Sequence, residues 1–129
     1  MIRMLEDQDY SMLVEWWKFH KHPILEKWFV PPTTFISLED TGEPCMSLSV
    51  YVSNGNVALA ENLTSRPNLK KEERRKHMDK LFQYIQSYCL KNKLALITFS
   101  DSEKMNKILE NNNFKLNGSN LSFFYAGGK

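Results

Sequence analysis

The sequence predicts an α/β fold with a mixed central sheet and helices on both faces, formed by a single domain over residues 1–129. Short stretches of alternating apolar and polar residues crowd the region between residues 34 and 65, as expected for neighbouring antiparallel strands. Longer amphipathic stretches separate the remaining strands, as expected for crossover helices. The predicted order is β-α-α-β-β-β-α-β-α-β-β, an antiparallel meander followed by βαβ units.

Composition limits the classes of protein to which this chain can belong. Its 129 residues, 42% hydrophobic and 25% charged, suit a packed globule, and a net charge of +2 disfavours nucleic-acid binding. No apolar run approaches the roughly 20 residues of a membrane span, and the first residues lack a secretion signal. We therefore expect a cytoplasmic protein with its two cysteines reduced. Abundant Lys, Asn and Met indicate an AT-rich genome, such as that of a phage or a low-GC bacterium.

The first third of the chain predicts one strand and two helices. Residues 2–5 form a short strand, and Asp9 is the N-cap of a helix over residues 10–21 that Pro23 ends. A second short helix is expected over residues 24–29. Four aromatic residues of this region are assigned mainly to the core: Trp16, Trp17, Trp28 and Phe29. The alternative is that one or two of them line an acceptor cleft beside Pro31-Pro32.

Three strands then follow, over residues 34–38, 45–52 and 57–65, with Asn54-Gly55 as a hairpin turn between the last two. A long helix ends near Lys91, and the nearly continuous apolar run 94–99 predicts a buried central strand. Ser102 caps a helix that reaches about Asn112. Strands 114–116 and 121–125, joined at Asn117-Gly118, close the chain as a hairpin.

The chemistry is concentrated between residues 57 and 91, where a strand breaks at Arg66-Pro67 and a basic run, residues 70–76, leads into the long helix. A strand that feeds a basic loop at a helix N-terminus can bind phosphate. The glycines that normally line such a loop are missing here. The alternative is a solvated charged face, because Glu72, Glu73 and Asp79 are interleaved with the basic residues.

This order of elements resembles the GNAT family of acyl-CoA-dependent N-acyltransferases over essentially the whole chain. Asp9-Tyr10 and the Trp-rich helix are similar to the family's opening, and strand 57–65 stands where its cofactor-binding strand lies. Residues 104–114 are similar to the family's helix that ends in a Gly-Phe pair, with Asn113 in place of the glycine. Asparagine also tolerates a left-handed helix cap. The resemblance implies acetyl-CoA as the cofactor and an amine as the acyl acceptor.

The phosphate loop departs from the family pattern. Aligning Leu81-Phe82 with the family's Leu-Leu pair puts Glu73 at the first motif position, with Lys76 and Met78 where glycines belong. Long side chains there either obstruct a backbone phosphate nest or replace it as direct ligands. The cofactor-binding residues that the resemblance implies are Leu63, Thr64, Ser65, Arg74, Arg75, Lys76, His77 and Met78.

Glu61 is the candidate general base because it lies on the family's catalytic strand, inside an otherwise apolar run. A solvated strand residue is the alternative role. Where many family members place a tyrosine acid, this chain has Leu109, which cannot donate a proton. Tyr125 is a candidate replacement acid, as are Tyr51 and Tyr88, although packing alone could explain each of them.

Three functions therefore remain open. The first is an acetyl-CoA-dependent N-acyltransferase that acts on an unidentified amine through a ternary complex. The second is a GNAT-shaped pseudoenzyme, encoded by a phage if the source is one, that binds a protein partner and has no acyl-transfer activity. Nucleic-acid binding is a distant third.

No metal site is expected, because the spacing of His20 and His22 on a helix puts their rings on different sides. Neither cysteine has a base partner in the local sequence that would make it a nucleophile.

Overall fold

The computed structural model describes residues 1–100, 102–117 and 122–126, with side chains described as far as residue 115. The helices are α1 (Asp9–Phe19), α2 (Lys71–Lys91) and α3 (Glu103–Asn111), with a single 3-10 turn at Lys27–Phe29. The strands are β1 (Ile2–Met4), β2 (Thr34–Leu38), β3 (Pro44–Val52), β4 (Val57–Ser65), β5 (Ala95–Ser100), β6 (Lys115–Asn117) and β7 (Ser122–Ala126). No helix of the described ranges is long and apolar enough to cross a membrane.

The strands form one mixed sheet in the order β1-β2-β3-β4-β5-β7-β6. Pairing is antiparallel between β1, β2 and β3, parallel between β4 and β5, and antiparallel again from β5 to β7 and β6. A parallel pair needs a long crossover, which α2 supplies. The predicted α/β class, the mixed sheet and the order of the strands along the chain are confirmed. The turn predicted at Asn117-Gly118 extends beyond the described residues.

The chain divides into two compact units. The first contains residues 1–49 and 62–81, and its apolar cluster is built on α1 from Leu13, Trp16 and Trp17 together with Val30. The second contains residues 50–61 and 82–129. Within the second unit, Phe82 of α2 and Phe114 after α3 pack edge to face at 5.6 Å between ring centroids. Each unit therefore has its own packed aromatic contacts.

Asp9 does not have the capping role that the sequence suggested. The N-cap of α1 is Gln8, and Asp9 lies in the first helical turn, where its buried carboxylate accepts two bonds from the Arg3 guanidinium, at 2.7 and 3.0 Å. The Glu6 backbone N–H donates a third bond at 2.7 Å. Charge-assisted bonds of this kind are stronger than a single neutral capping bond. The carboxylate therefore fixes β1 to the start of α1.

The second predicted helix is also wrong, because residues 24–29 form only the 3-10 turn at Lys27–Phe29. A six-residue segment after Pro23 has too few intrahelical bonds to offset the cost of nucleation. Trp28 is 80% exposed and Phe29 about half exposed, so neither belongs to the core. The assignment of Trp16 and Trp17 to the core is confirmed.

Replacing Asp9 by alanine is expected to lower the free energy of unfolding by about 1–3 kcal/mol, because the Arg3 guanidinium and the Glu6 N–H lose their acceptor. Burial acts to raise the pKa of Asp9, but the bonds from Arg3 and Glu6 and the charge of Arg3 outweigh it, so the pKa is lowered. The stabilisation is therefore complete above about pH 4 and is lost as pH falls through the lower folded-state pKa.

Urea unfolding at several pH values measures this effect, with Asp7→Ala as the control because Asp7 is exposed on the same turn. A difference between wild type and Asp9→Ala that stayed constant from neutral to acid pH would contradict the assigned ion pair.

Candidate active site

β4 changes its conformation in the middle. Its parallel ladder with β5 consists of four pairs, from Val57–Ala95 to Ala60–Thr98, although β4 itself has nine residues. Asn62 follows with φ of 63°, a left-handed conformation that asparagine tolerates better than most residues. A left-handed residue inside a strand is typical of a β-bulge, which bends the strand and interrupts its pairing. β4 then continues from Leu63 to Ser65.

The orientation of the Ser65 carbonyl follows from one hydrogen bond. The Arg66 N–H donates to the Cys45 carbonyl of β3 at 2.7 Å, and the described part of the chain contains no cis peptide bond. In a trans peptide the carbonyl points opposite to the N–H, so the Ser65 carbonyl points away from β3. Alternation along a strand places the main-chain groups of Leu63 on the same edge. We call the Leu63 and Ser65 main-chain groups on this side the outer edge of β4.

His20, at the end of α1, binds this outer edge. Its Nε2 lies 2.9 Å from the Ser65 carbonyl oxygen. A carbonyl only accepts hydrogen bonds, so Nε2 carries the hydrogen and donates it. His22 stacks on the same imidazole, with ring centroids 5.5 Å apart and an interplanar angle of 26°. The prediction that the two rings lie on different sides is wrong, because α1 ends at Phe19 and Lys21 is left-handed, with φ of 58°.

The predicted phosphate loop is a helix. α2 begins at Lys71, and the Arg74 N–H already donates to the Lys70 carbonyl at 2.8 Å. The N–H groups from Arg75 to Met78 therefore lie inside the intrahelical ladder and form no backbone nest for an anion. Lys, Glu and Arg are good helix formers, and without glycine nothing in the basic run stops the helix from starting early.

The arginines of this region have protein partners. Arg66 binds Glu39 at 2.6 Å and Glu43 at 3.2 Å. Arg74 donates to the Leu69 carbonyl at 3.0 Å, and Arg75 donates to Asp79 at 3.1 Å. Four lysines of the region are exposed: Lys70, Lys71, Lys76 and Lys80. To bind here, an anion would have to draw the arginines from their protein partners or the exposed lysines from water. Glu72 and Glu73 in the first turn of α2 would also repel it.

His77 faces inward. Its side chain is 2% exposed, and Nδ1 makes a 2.6 Å hydrogen bond with the Ser37 hydroxyl of β2. Burial lowers the pKa of His77, and the charge of Lys80 acts in the same direction. The ring borders an open pocket of about 220 Å³, together with charged side chains that include Glu39, Glu73 and Lys76. His77 therefore stabilises the packing of α2 on β2, and its imidazole is not presented at the helix surface.

The candidate base, the position of the missing acid and the candidate replacement acid lie on three different elements. Glu61 is partly buried in β4, one residue beyond the β5 ladder, and belongs to the second unit. Leu109 is 1% exposed on α3. The backbone of Tyr125 pairs with Ile97 of β5, and its side chain is not among those that the structure describes. The eight predicted cofactor-binding residues all lie in the first unit, where Leu63–Ser65 leads through the short loop into α2.

The two cysteines and the possible metal ligands do not form reactive sites among the described residues. Burial raises the pKa of Cys45 and of Cys89 to about 11 each, so both thiols stay protonated near neutral pH. Within the described residues no group of three His, Cys, Asp or Glu side chains could hold a metal ion. His20 is the site residue that sequence reasoning missed, because its partner Ser65 is 45 residues away and no local pattern predicts that contact.

No family model matches the sequence, and no curated protein matches it. Solved structures do match it. The structure is similar to a GNAT-family acetyltransferase from Bacillus cereus, with a TM-score of 0.72 and 15% identity over 100% of this chain and 97% of that one. It is similar to Ard1 from Thermoplasma volcanium, with a TM-score of 0.74 and 10% identity over 100% and 97%. The chain has the GNAT fold.

A third match carries a bound ligand. It is a GNAT-superfamily phosphinothricin acetyltransferase from Sinorhizobium meliloti in complex with AcCoA, with a TM-score of 0.73 and 10% identity over 98% of this chain and 86% of that one. Identities this low establish the fold alone.

Proposed function

We propose that the protein is an acetyl-CoA-dependent N-acyltransferase that acts on an amine acceptor through a ternary complex. The observation that carries the proposal is the outer edge of β4. It begins after the four-pair ladder with β5 and the left-handed Asn62, in a fold shared with a structure that binds AcCoA. An exposed strand edge can bind an extended ligand through main-chain hydrogen bonds, in the way that it would bind an additional β-strand.

The residues of β4 suit such a ligand. The Thr64 hydroxyl is buried and has no hydrogen-bond partner among the described residues, so a polar ligand group or a water would relieve its desolvation cost. The main-chain groups of Leu63 and Ser65 would hold the pantetheine amides and the thioester carbonyl. Bound acetyl-CoA would supply an acyl thioester, whose carbonyl carbon an amine can attack. Arg74, Arg75 and Lys76 would face the diphosphate through their side chains, with His77 and Met78 supporting that part of α2.

Glu61 is proposed as the general base. An amine attacks only in its unprotonated form, and a lysine-like amine has a pKa of about 10.4, so a carboxylate within reach of the nitrogen or of one water assists the transfer. Tyr125 remains the candidate acid. A thiolate with a pKa of about 8.5 can also leave without a proton donor, so the loss of an acid at Leu109 slows the reaction without preventing it. The acceptor is a small-molecule or protein amine, and the reaction is assigned to the cytoplasm.

Two observations favour a second function. α2 runs through the basic stretch without a phosphate nest, and His20 already occupies the Ser65 carbonyl. A protein-binding domain that had lost acyl transfer would have both features. It would bind no acetyl-CoA, which makes the two functions separable by one measurement.

Calorimetry of the purified chain with acetyl-CoA tests the proposal. The expected result is saturable binding in the micromolar range, weakened about three- to tenfold by Arg75→Ala, because one charge-assisted bond to phosphate is lost. Lys107→Ala is the matched control, since Lys107 is an exposed cation on α3, outside the proposed site. No heat of binding at millimolar acetyl-CoA would overturn the acyltransferase and support the binding domain.

A further inference from the structure

His20 is held at the outer edge of β4 from several sides. Its own N–H donates to the Trp16 carbonyl at 3.1 Å, and its ring packs edge to face on Phe19 at 5.1 Å and stacks on His22. Nε2 reaches the Ser65 carbonyl at 2.9 Å and lies 3.4 Å from the Ser65 hydroxyl. Two independent parts of the chain, the end of α1 and the end of β4, therefore meet at one hydrogen bond.

That bond uses a group which the proposed cofactor also needs. The pantetheine arm of an acyl-CoA carries secondary amides, and an amide that pairs with a strand edge donates its N–H to a strand carbonyl. On the outer edge of β4 the carbonyls available by alternation are those of Leu63 and Ser65. A carbonyl has a second lone pair, but the imidazole takes up the space beside the strand at Ser65. The ring and the pantetheine arm would therefore compete for this carbonyl.

The bond can break without unfolding any element. His20 is partly exposed, and it lies at the C-terminal end of α1, where Lys21 has already left the helical conformation. Rotation of the side chain about its own torsions moves Nε2 away from Ser65, and exposed rings rotate on the nanosecond timescale. Water replaces the lost partner on both groups. A side-chain rotation would thus carry the ring from its observed position on Ser65 to a solvated one.

We propose that His20 is a gate on the cofactor site: its imidazole occupies the Ser65 carbonyl in the free protein, and acyl-CoA must displace it to pair with β4. The proposal rests on the proposed function, since without acyl-CoA there is nothing for the ring to exclude. Binding of the cofactor then requires breaking the hydrogen bond between His20 and Ser65. The free energy of that bond is subtracted from the free energy of binding, so the apparent affinity is lower than that of a site without the gate. Removing the imidazole should therefore tighten binding, the opposite of what a ligand-contacting residue would show.

The test is calorimetry with acetyl-CoA on wild type, His20→Ala and His20→Gln. His20→Ala is expected to lower Kd about three- to tenfold, the fold-change that corresponds to one net hydrogen bond. His20→Gln keeps an N–H donor, so its Kd should lie between the other two. His22→Ala is the matched control, because His22 stacks on the ring without bonding Ser65, and its Kd should stay close to that of wild type. Circular dichroism melts confirm that each variant is folded.

A second readout follows the ring itself. Nitrogen NMR of the imidazole distinguishes the protonated from the unprotonated ring nitrogen, and the free protein should show His20 with hydrogen on Nε2. Saturation with acetyl-CoA should change this signal. Unchanged or weaker binding by His20→Ala, with wild type still binding, would overturn the gate and leave the proposed function intact. Absence of binding in wild type at millimolar acetyl-CoA would overturn the proposed function and, with it, the gate.

Discussion

Replacing Glu61 by glutamine is expected to lower the turnover number by about 10²–10⁴-fold, the usual contribution of a positioned general base. The amide has nearly the same shape as the carboxylate but cannot take a proton from an attacking amine. The affinity for acetyl-CoA should change less than about threefold, because a proton acceptor acts on the amine in the transition state and not on the bound thioester. The expected signature is therefore a loss in kcat with little change in binding.

The measurement is release of CoA thiol in the presence of a panel of amines that includes a lysine peptide, an aminoglycoside and a polyamine, followed by kinetics with the amine that is turned over fastest. Glu110→Gln, an exposed change of the same chemistry on α3, is the control. Equal losses in turnover and in acetyl-CoA affinity would show that Glu61 supports the structure of β4 and is not the base.

Replacing His77 by alanine is expected to lower the free energy of unfolding by about 2–4 kcal/mol. The change leaves a cavity under α2 and removes the partner of the buried Ser37 hydroxyl. The imidazole also makes stability depend on pH. Burial lowers its folded-state pKa, so between that pKa and about 6.5 the unfolded chain binds a proton that the folded chain does not bind. The stability of the wild type should therefore fall as pH drops below about 6.5.

Urea unfolding between about pH 5 and pH 8 measures both effects. His77→Leu is the second variant, because leucine refills most of the volume and cannot titrate, and Ser37→Ala separates the lost bond from the lost packing. A constant difference between wild type and His77→Leu across this pH range would contradict the buried neutral imidazole.

The parts of the fold that were predictable from the sequence depend on local signals. β4 was predicted with its observed bounds, Val57–Ser65, because Asn54-Gly55 and Arg66-Pro67 delimit it. Ser102 accepts a bond from the Met105 N–H as the predicted cap of α3. Asn113 has φ of 71°, the left-handed conformation expected where the family has glycine.

The parts that were missed depend on contacts between distant residues. Asp9 was assigned as a cap because the competing partner, Arg3, could not be placed beside it without knowing where β1 lies. The bond from His20 to Ser65 needs the register of the whole sheet before it can be anticipated. The basic run differs from its expectation for another reason: the resemblance predicts a phosphate loop there, whereas the local helix propensity of residues 71–78 prevails.

The three tryptophans of this chain have very different surroundings, and this gives the protein an internal optical probe. Trp16 and Trp17 are enclosed in the cluster on α1, whereas Trp28 stands on the 3-10 turn with 80% of its surface in water. Acrylamide should quench the emission of Trp28 first, while the blue-shifted emission of the other two should report on unfolding. One fluorescence spectrum can thus follow the surface turn and the interior separately, without a label.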